Sequence, residues 1–143
     1  MPHLAKISEA ASMALHTMAM MAGNPDEALS ARSMAEALGC SEAHLAKVLQ
    51  RLAKAGLLTS TRGPKGGFVL ARPAGAITLL EIYETIEGPL TPSQCLLGKP
   101  VCGGNCILGG LLGEVDLRAQ EYLGNKSLAD FSAAFSGGSH DRE

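Results

Sequence analysis

Apolar residues recur at helical spacing through most of the chain, and two short apolar runs interrupt that pattern near its middle. Ser30 is suited to cap a short helix that ends at Leu38, with Gly39 as the turn after it. Ser41 is suited to cap a second helix, which Gly56 ends. The apolar side of this second helix consists of Leu45, Val48, Leu49 and Leu52. Two helices joined by a glycine-containing turn predict a helix-turn-helix.

The segment after Gly56 is typical of a β-hairpin. Residues 57–62 and 67–72 are two strand-like runs that flank the turn Gly63-Pro64-Lys65-Gly66. A helix-turn-helix followed directly by such a hairpin, or wing, predicts a winged-helix unit that binds nucleic acid.

The flanking segments are predicted to be helical as well. A first helix spans 8–22, a capping box at Thr78–Glu81 begins another that ends at Gly88, and Ser127 is suited to cap a short helix through Phe131. A longer helix is expected from about Asn105 to Leu123. Its apolar stripe is broad for so small a chain, which predicts a homodimer formed along this helix. The stripe consists of Leu108, Leu111, Leu112, Val115, Ala119 and Tyr122.

The predicted fold is therefore mainly α, with a two-stranded wing and a long C-terminal dimerisation helix. Residues 1–88 form the winged helix-turn-helix DNA-binding domain, and 89–104 form a cysteine-bearing sensor loop without periodicity. Residues 105–136 contain the dimerisation helix and the terminal helix, and 137–143 are predicted to be a disordered tail.

Charge is distributed unevenly. The formal net charge is −2, but residues 30–75 contain seven basic and two acidic residues, a net charge of +5 that leaves −7 for the rest. Aromatic residues are few, with three Phe, two Tyr and no Trp, so the core is expected to be aliphatic. One basic unit on an acidic body indicates a protein that presents a single face to phosphate.

The residues expected to contact DNA lie on the second helix and the wing. The start of that helix would face base edges in the major groove, with Gln50 and Arg51 nearer the backbone. Arg62 suits a narrow minor groove, and glycine lets the wing backbone approach closely. The predicted DNA-binding residues are Arg32, Ser41, His44, Lys47, Gln50, Arg51, Arg62, Lys65 and Gly66.

Three cysteines fall within a dozen residues: Cys95 and Cys102 in the sensor loop, and Cys106 just after it. No signal peptide is visible, and the apolar run at 13–22 is too short to cross a bilayer, so we expect a cytoplasmic protein with no membrane partner. In that compartment, clustered thiols indicate an iron–sulfur or zinc site, a reversible disulfide or reduced structural thiols. If the following helix reached back to Cys106, its positive end would favour a thiolate there.

Residues 44–88, HLAKVLQRLAKAGLLTSTRGPKGGFVLARPAGAITLLEIYETIEG, resemble the winged-helix regulator family that includes IscR, NsrR, RsrR and CymR. The wing RGPKGGFVLARP followed by ITLLE is a distinctive pattern of that family. The resemblance covers almost the whole chain. It implies a homodimeric bacterial transcription regulator that binds a pseudo-palindromic operator in double-stranded DNA, and it favours an iron–sulfur cluster at the cysteines.

The resemblance also bears on the fourth ligand of such a cluster. Some relatives carry a histidine downstream of the last cysteine, where this chain has Gly109. Others take an acidic residue and a histidine from the first helix of the partner subunit. His16 matches that histidine, whereas Ser12 replaces the acidic residue and Glu9 lies one turn earlier. The close spacing of Cys102 and Cys106, with three residues between them, and the matching His16 favour [2Fe–2S] over [4Fe–4S]. Redox state, nitric oxide or iron–sulfur status are the expected signals.

Two alternatives stay open. The first is a cluster-free winged-helix regulator that responds through a protein partner, a small molecule or thiol oxidation. The second, from another class, is an electron-transfer protein that uses the cysteines directly. A second cysteine motif, a nucleotide fingerprint and a pairing of nucleophile and base are all missing from the sequence, so an enzyme is not expected.

Overall fold

The computed structural model describes residues 7–91, 95–97, 99 and 101–135. Within these residues the chain is mainly helical, with one antiparallel hairpin. The elements are α1 (Glu9–Gly23), α2 (Ala31–Leu38), α3 (Glu42–Lys54), β1 (Leu58–Thr61), β2 (Gly67–Leu70), a short 3-10 helix (Ala74–Ala76), α4 (Leu79–Glu87), α5 (Leu111–Asn125) and a terminal 3-10 helix (Leu128–Phe135).

The predicted helix-turn-helix is present, with its predicted caps. The Ser30 hydroxyl accepts the Ser33 N–H at 3.0 Å, and the Ser41 hydroxyl accepts the His44 N–H at 3.3 Å. These bonds satisfy amide donors that have no partner within the first turn of each helix. Gly39 takes a left-handed conformation between α2 and α3, as the turn requires.

The wing pairs β1 with β2 in the register Leu58↔Leu70 through Thr61↔Gly67, so both strands are shorter than predicted. A third segment, which the sequence pattern does not mark, extends this sheet. Leu29 and Phe68 exchange two backbone hydrogen bonds, of 3.0 and 2.8 Å. The wing is thereby attached to the residue just before the Ser30 cap, which limits its movement relative to the helix-turn-helix.

The core is aliphatic, as the scarcity of aromatic residues predicts. Helix α1 lies at its centre and packs against α3, α4 and the terminal 3-10 helix. The largest fully buried side chains are Met18, Met21, Met34, Leu45, Leu49, Leu52, Leu57, Ile77, Ile82 and Leu128. The buried side of α3 belongs to this core, so the opposite side of α3 faces outward.

Helix α4 begins at the predicted capping box, but only half of that motif forms. The Thr78 hydroxyl accepts the Glu81 N–H at 3.1 Å. The Glu81 carboxylate does not return to the cap, because it accepts a hydrogen bond from Arg72 at 2.5 Å. This ion pair attaches the end of the wing to the first turn of α4.

The long C-terminal helix starts later than predicted. Helix α5 begins at Leu111 rather than near Asn105, because Gly109 and Gly110 have φ values of 54° and 85°, outside the right-handed helical region. Residues 101–110 form turns and bends instead. The prediction that a helix reaches back to Cys106 is therefore wrong.

The chain returns to the core after α5. The Leu79 N–H donates to the Lys126 carbonyl at 3.0 Å, and the Leu128 N–H donates to the Ile77 carbonyl at 3.0 Å. The predicted short helix after Ser127 forms as a 3-10 helix and extends to Phe135. The predicted tail from 137 onward lies outside the described residues.

The predicted sensor loop has no helix or strand in the parts that are described, 89–91, 95–97, 99 and 101–104. Its apolar side chains Leu96, Leu97 and Val101 are largely exposed. Among the residues whose structure is described, no helix is long and apolar enough to cross a membrane.

Candidate nucleic-acid interface and cysteine loop

Helix α3 presents an exposed side that extends from its cap to Gln50. We call this set the reading face, and it consists of Ser41, Glu42, Ala43, His44, Lys47 and Gln50, all exposed. Lys47 and Gln50 form no ion pair or side-chain hydrogen bond with any described residue. These side chains are therefore available to a ligand outside the protein.

The wing tip, residues 62–66, is exposed at Arg62 and Lys65. The Gly66 N–H donates to the Gly63 carbonyl at 2.8 Å, and Thr61 and Gly67 exchange two bonds of 3.1 and 3.3 Å at the base of the turn. These bonds hold the turn in shape while its two cations point to solvent.

Arg32 lies on the outer side of α2 and pairs with Glu36 at 3.3 Å. Both side chains are more than two-thirds exposed, at 77% and 70%. An exposed pair of this kind contributes less than about 1 kcal/mol, so it would not prevent Arg32 from contacting a phosphate.

Arg51 has a partner inside the protein. Its guanidinium donates to the Ile86 carbonyl at 2.7 Å and to the Thr85 carbonyl at 3.4 Å, both at the end of α4. The sequence suggests a position near the DNA backbone, and no local pattern reveals this contact because the partners are 34 and 35 residues apart.

The three loop cysteines are free thiols with different exposure. Cys95 is half-buried, whereas Cys102 and Cys106 are exposed. Within the described part of the chain, no three His, Cys, Asp or Glu side chains are arranged to hold a metal ion. Because α5 begins only at Leu111, Cys106 also lacks the helix N-terminus that was expected to favour its thiolate. The single protomer therefore does not present a preformed metal site in these residues.

His16 is exposed on α1, far along the chain from the loop. Its Nδ1 lies 2.7 Å from the Ser12 carbonyl oxygen and 3.3 Å from the Ser12 hydroxyl. A carbonyl oxygen only accepts, so a hydrogen bond at this distance requires the proton on Nδ1 and leaves Nε2 without a bond to Ser12. His16 also lies at the edge of an apolar cavity of about 220 Å³ formed with Leu15, Ala19, Leu79, Phe131, Ala134 and Phe135.

The chain is similar to known proteins over most of its length. The family model described as "Rrf2: Iron-dependent Transcriptional regulator" matches residues 7–134 of this chain. The chain belongs to the Rrf2 family. The predicted resemblance is confirmed, since IscR and CymR are among the similar proteins.

Curated relatives of this Rrf2 protein are named "HTH-type transcriptional regulator IscR". The one from Xenorhabdus nematophila is 33% identical over 99 residues, which cover 68% of this chain and 60% of the relative. The one from Klebsiella pneumoniae is 31% identical over the same length. The chain thus matches about 60% of the length of these curated relatives.

Solved structures of similar proteins cover more of the chain. CymR, the global cysteine regulator of B. subtilis, has a TM-score of 0.76 at 27% identity and covers 94% of this chain and 100% of its own. IscR of T. potens has a TM-score of 0.70 at 28% identity and covers 89% of this chain and 85% of its own. The predicted winged-helix fold is confirmed, and these Rrf2 relatives are named as transcriptional regulators rather than enzymes.

Proposed function

We propose that this Rrf2 protein is a homodimeric transcription regulator that binds a pseudo-palindromic operator in double-stranded DNA. We further propose that its operator affinity depends on an iron–sulfur cluster. The observation that carries the proposal is the exposed reading face of α3, which is followed along the chain by a wing whose tip exposes Arg62 and Lys65. This combination supplies side chains for base edges and cations for phosphates.

DNA recognition follows from the chemistry of these side chains. Lys47 and His44 would donate to base acceptors, and Gln50 would donate and accept nearer the backbone. Arg62 and Lys65 on the wing tip would contact a narrow groove or phosphates, and Arg32 at the start of α2 would contact a phosphate. Ser41 would lie near base edges with the other residues of the reading face. Residues 30–75 carry a net charge of +5, which supports phosphate contact by this unit.

The case for a homodimer rests on α5. None of its residues is buried in the protomer. Leu111 and Tyr122 are 41% and 48% exposed, and because they are eleven residues apart they lie three turns apart on the same side of the helix. A second α5 packed along this side would remove that apolar surface from water. Two reading faces related by a two-fold axis would then meet successive turns of the major groove.

Replacing Leu111 and Tyr122 with aspartate together is expected to convert the dimer into monomers. Each substitution occurs twice in a two-fold interface, so the dimer dissociation constant should rise by about 100-fold or more. Sedimentation velocity over a range of protein concentrations measures this change. Affinity for a two-half-site duplex should fall with it.

Leu117→Asp is the matched control for that experiment. Leu117 is 54% exposed on the same helix, but it lies six residues after Leu111 and hence on the other side. The control should remain dimeric. A monomeric wild-type protein, or equal dissociation of control and test variants, would contradict the dimer proposed here.

The loop cysteines fit an iron–sulfur cluster in chemistry. Cys95, Cys102 and Cys106 are free thiols outside the buried core, so all three are available as thiolate ligands. His16 is the proposed fourth ligand, contributed by the partner subunit. The bond from its Nδ1 to the Ser12 carbonyl leaves Nε2 for the metal, as is usual for metal-binding histidines. Three thiolates with one imidazole favour [2Fe–2S] over [4Fe–4S].

When bound, the cluster would supply a centre that responds to redox state, nitric oxide or iron–sulfur supply. The residues of the chain would determine how that response reaches DNA. Thiolates at Cys102 and Cys106 would hold the loop in one conformation, and their release would let residues 95–110 take another. The relative position of the two reading faces, and hence operator affinity, would differ between these conformations.

Purification without oxygen tests the cluster directly. The wild-type protein should be coloured and contain iron and acid-labile sulfide, and its operator affinity should differ between the loaded and cluster-free forms. The Cys102→Ser/Cys106→Ser variant should be colourless. Cys40→Ser, which removes a half-buried thiol that packs against the core, should keep the colour. A colourless wild-type protein would exclude the switch, as would identical operator affinity in both forms.

His16→Ala examines the fourth ligand separately. The expected result is a shifted visible spectrum with the iron content retained or reduced. The reason is that the cluster loses its imidazole ligand and keeps only the three thiolates, which changes the electron donation to its iron. An unchanged spectrum would mean that His16 is not a ligand.

A second candidate is a regulator that works without a cluster. Two observations favour it: the similarity to a cysteine regulator across the whole fold, and the lack of a preformed metal group in the described residues. Under this alternative the Cys102→Ser/Cys106→Ser variant would bind and release the operator as the wild-type protein does.

A further inference from the structure

Three separate parts of the protein meet at the carboxyl end of α4. Arg51 of α3 donates to the Ile86 carbonyl, and the Ser8 hydroxyl at the cap of α1 donates to the Glu87 carboxylate. The Glu84 carboxylate accepts the N–H of Leu90, at the start of the sensor loop, at 3.2 Å. Helix α3, the start of α1 and the first residues of the sensor loop, which we call the root of the loop, are therefore all attached to the end of α4.

The contact made by Arg51 is chemically specific. The last carbonyls of a helix have no partner within it, and they form the negative end of the helix dipole. A guanidinium placed there satisfies two of them at once, at 2.7 and 3.4 Å. Helix α4 ends immediately afterward at Gly88, where the chain leaves toward the cysteines.

The position of Arg51 on α3 gives this contact a consequence for DNA recognition. Arg51 follows Lys47 by four residues, so the two side chains lie about one turn, or roughly 5 to 6 Å, apart along the same rigid helix. A displacement at the end of α4 would move Arg51 and with it the reading face. Conversely, a displacement of α3 on DNA would move the end of α4 and the root of the loop.

We propose that Arg51 is a positioning residue that couples the cysteine loop to the reading face through the end of α4, and that it is not a DNA contact. This inference rests on the proposed function, since it takes α3 as the DNA-binding helix and the loop as the sensor. Glu84 is the corresponding link on the loop side, because its carboxylate holds Leu90.

The salt dependence of duplex binding separates a positioning role from a phosphate contact. If Arg51 bound phosphate, Arg51→Gln would reduce the slope of log affinity against log salt by about two in a dimer, one unit per subunit. A positioning residue leaves the slope unchanged. Arg62→Gln on the wing tip, where a phosphate contact is expected, is the matched comparison and should reduce the slope.

The coupling itself is measured through thermodynamic reciprocity. If the loop influences DNA binding, DNA binding must influence the loop by the same factor. The probe is the rate at which N-ethylmaleimide alkylates Cys95 in a Cys40→Ser/Cys102→Ser/Cys106→Ser background, with and without saturating duplex. Because no cluster is needed, this measurement does not depend on metal loading.

In this background we expect saturating duplex to change the Cys95 alkylation rate by about fivefold or more. In Arg51→Gln, the ratio of the rate with duplex to the rate without duplex should be about one. Glu84→Ala should have the same effect, although Glu84 bonds to the loop and not to α3. Arg51→Lys, which keeps a cation at the carbonyls, should retain part of the response of the Cys95 alkylation rate to duplex. A purely structural role of Arg51 would lower thermal stability without removing the response to DNA.

Each other outcome has a defined meaning. A rate that does not respond to duplex in the parent background, or a full response in Arg51→Gln, overturns the coupling through Arg51. A full response in Glu84→Ala alone overturns the link between Glu84 and the loop. A reduced salt slope in Arg51→Gln overturns the positioning role. Failure of the wild-type protein to bind duplex in a salt-dependent manner, in both its loaded and its cluster-free forms, instead overturns the proposed function. Thermal unfolding curves identify any variant that does not fold.

Discussion

Replacing Lys47 and Arg62 with alanine together is expected to lower affinity for an operator duplex by about 100-fold or more, because each good contact contributes roughly 1–3 kcal/mol and a dimer makes it twice. Lys47 lies in the middle of the reading face and Arg62 at the start of the wing tip, and both are exposed. The operator can be selected from random-sequence duplexes with the wild-type protein. Fluorescence anisotropy at one stated salt concentration then gives the affinities.

The matched control removes the same charge from elsewhere. Lys99 is exposed on the cysteine loop, and Lys126 follows α5 with its ammonium 5.8 Å from the centre of the Tyr122 ring. Lys99→Ala/Lys126→Ala should change operator affinity by less than about fivefold, since long-range charge is screened at physiological salt. An equal loss in both pairs would mean that net charge, and not the reading face, accounts for binding.

Gly67→Ala is expected to destabilise the fold by about 2–4 kcal/mol, since overpacking against backbone atoms cannot be relieved by rotating a side chain. A Cβ at this position would lie 2.5 Å from the Leu29 carbonyl oxygen and 2.6 Å from its carbon. Relief would require breaking the two bonds between Leu29 and Phe68. For a chain of this size the melting temperature should fall by about 10 °C.

Gly75→Ala is the matched control for the stability experiment. The nearest atom to a Cβ there is the Ala129 Cβ at 4.0 Å, so the substitution should be neutral or slightly stabilising. Operator affinity should also fall in Gly67→Ala at temperatures where it is folded, because the wing loses its attachment beside α2. Equal melting temperatures for the two variants would show that the Leu29 segment adapts freely.

The reading unit was predictable because its signals are local. Ser30, Ser41 and Thr78 were placed as helix caps from the residues around them, and each one forms its cap in the structure. Spacing of Leu45, Val48, Leu49 and Leu52 likewise identified the buried side of α3, and thereby its exposed side. Cap chemistry and helical periodicity act over three to eight residues, which a sequence displays directly.

The start of α5 was misjudged for a related reason. The helical spacing of apolar residues already includes Leu108. Gly109 and Gly110, however, take left-handed conformations, so α5 cannot extend toward the N-terminus beyond Leu111. The pattern of apolar residues therefore extended the helix to Asn105, whereas backbone conformation begins it at Leu111. The expected helix-dipole effect on Cys106 is lost with those six residues.

The sequence by itself determined the helix-turn-helix, the wing, the basic character of residues 30–75 and the thiol chemistry of the loop, since all of these depend on residue type at short separation. Only the tertiary structure decided the attachment of Leu29 to the wing and the contact of Arg51 with the end of α4. These contacts join residues 35 or more positions apart. Hydrogen-bond geometry of that kind is set by packing, and no residue pattern records it.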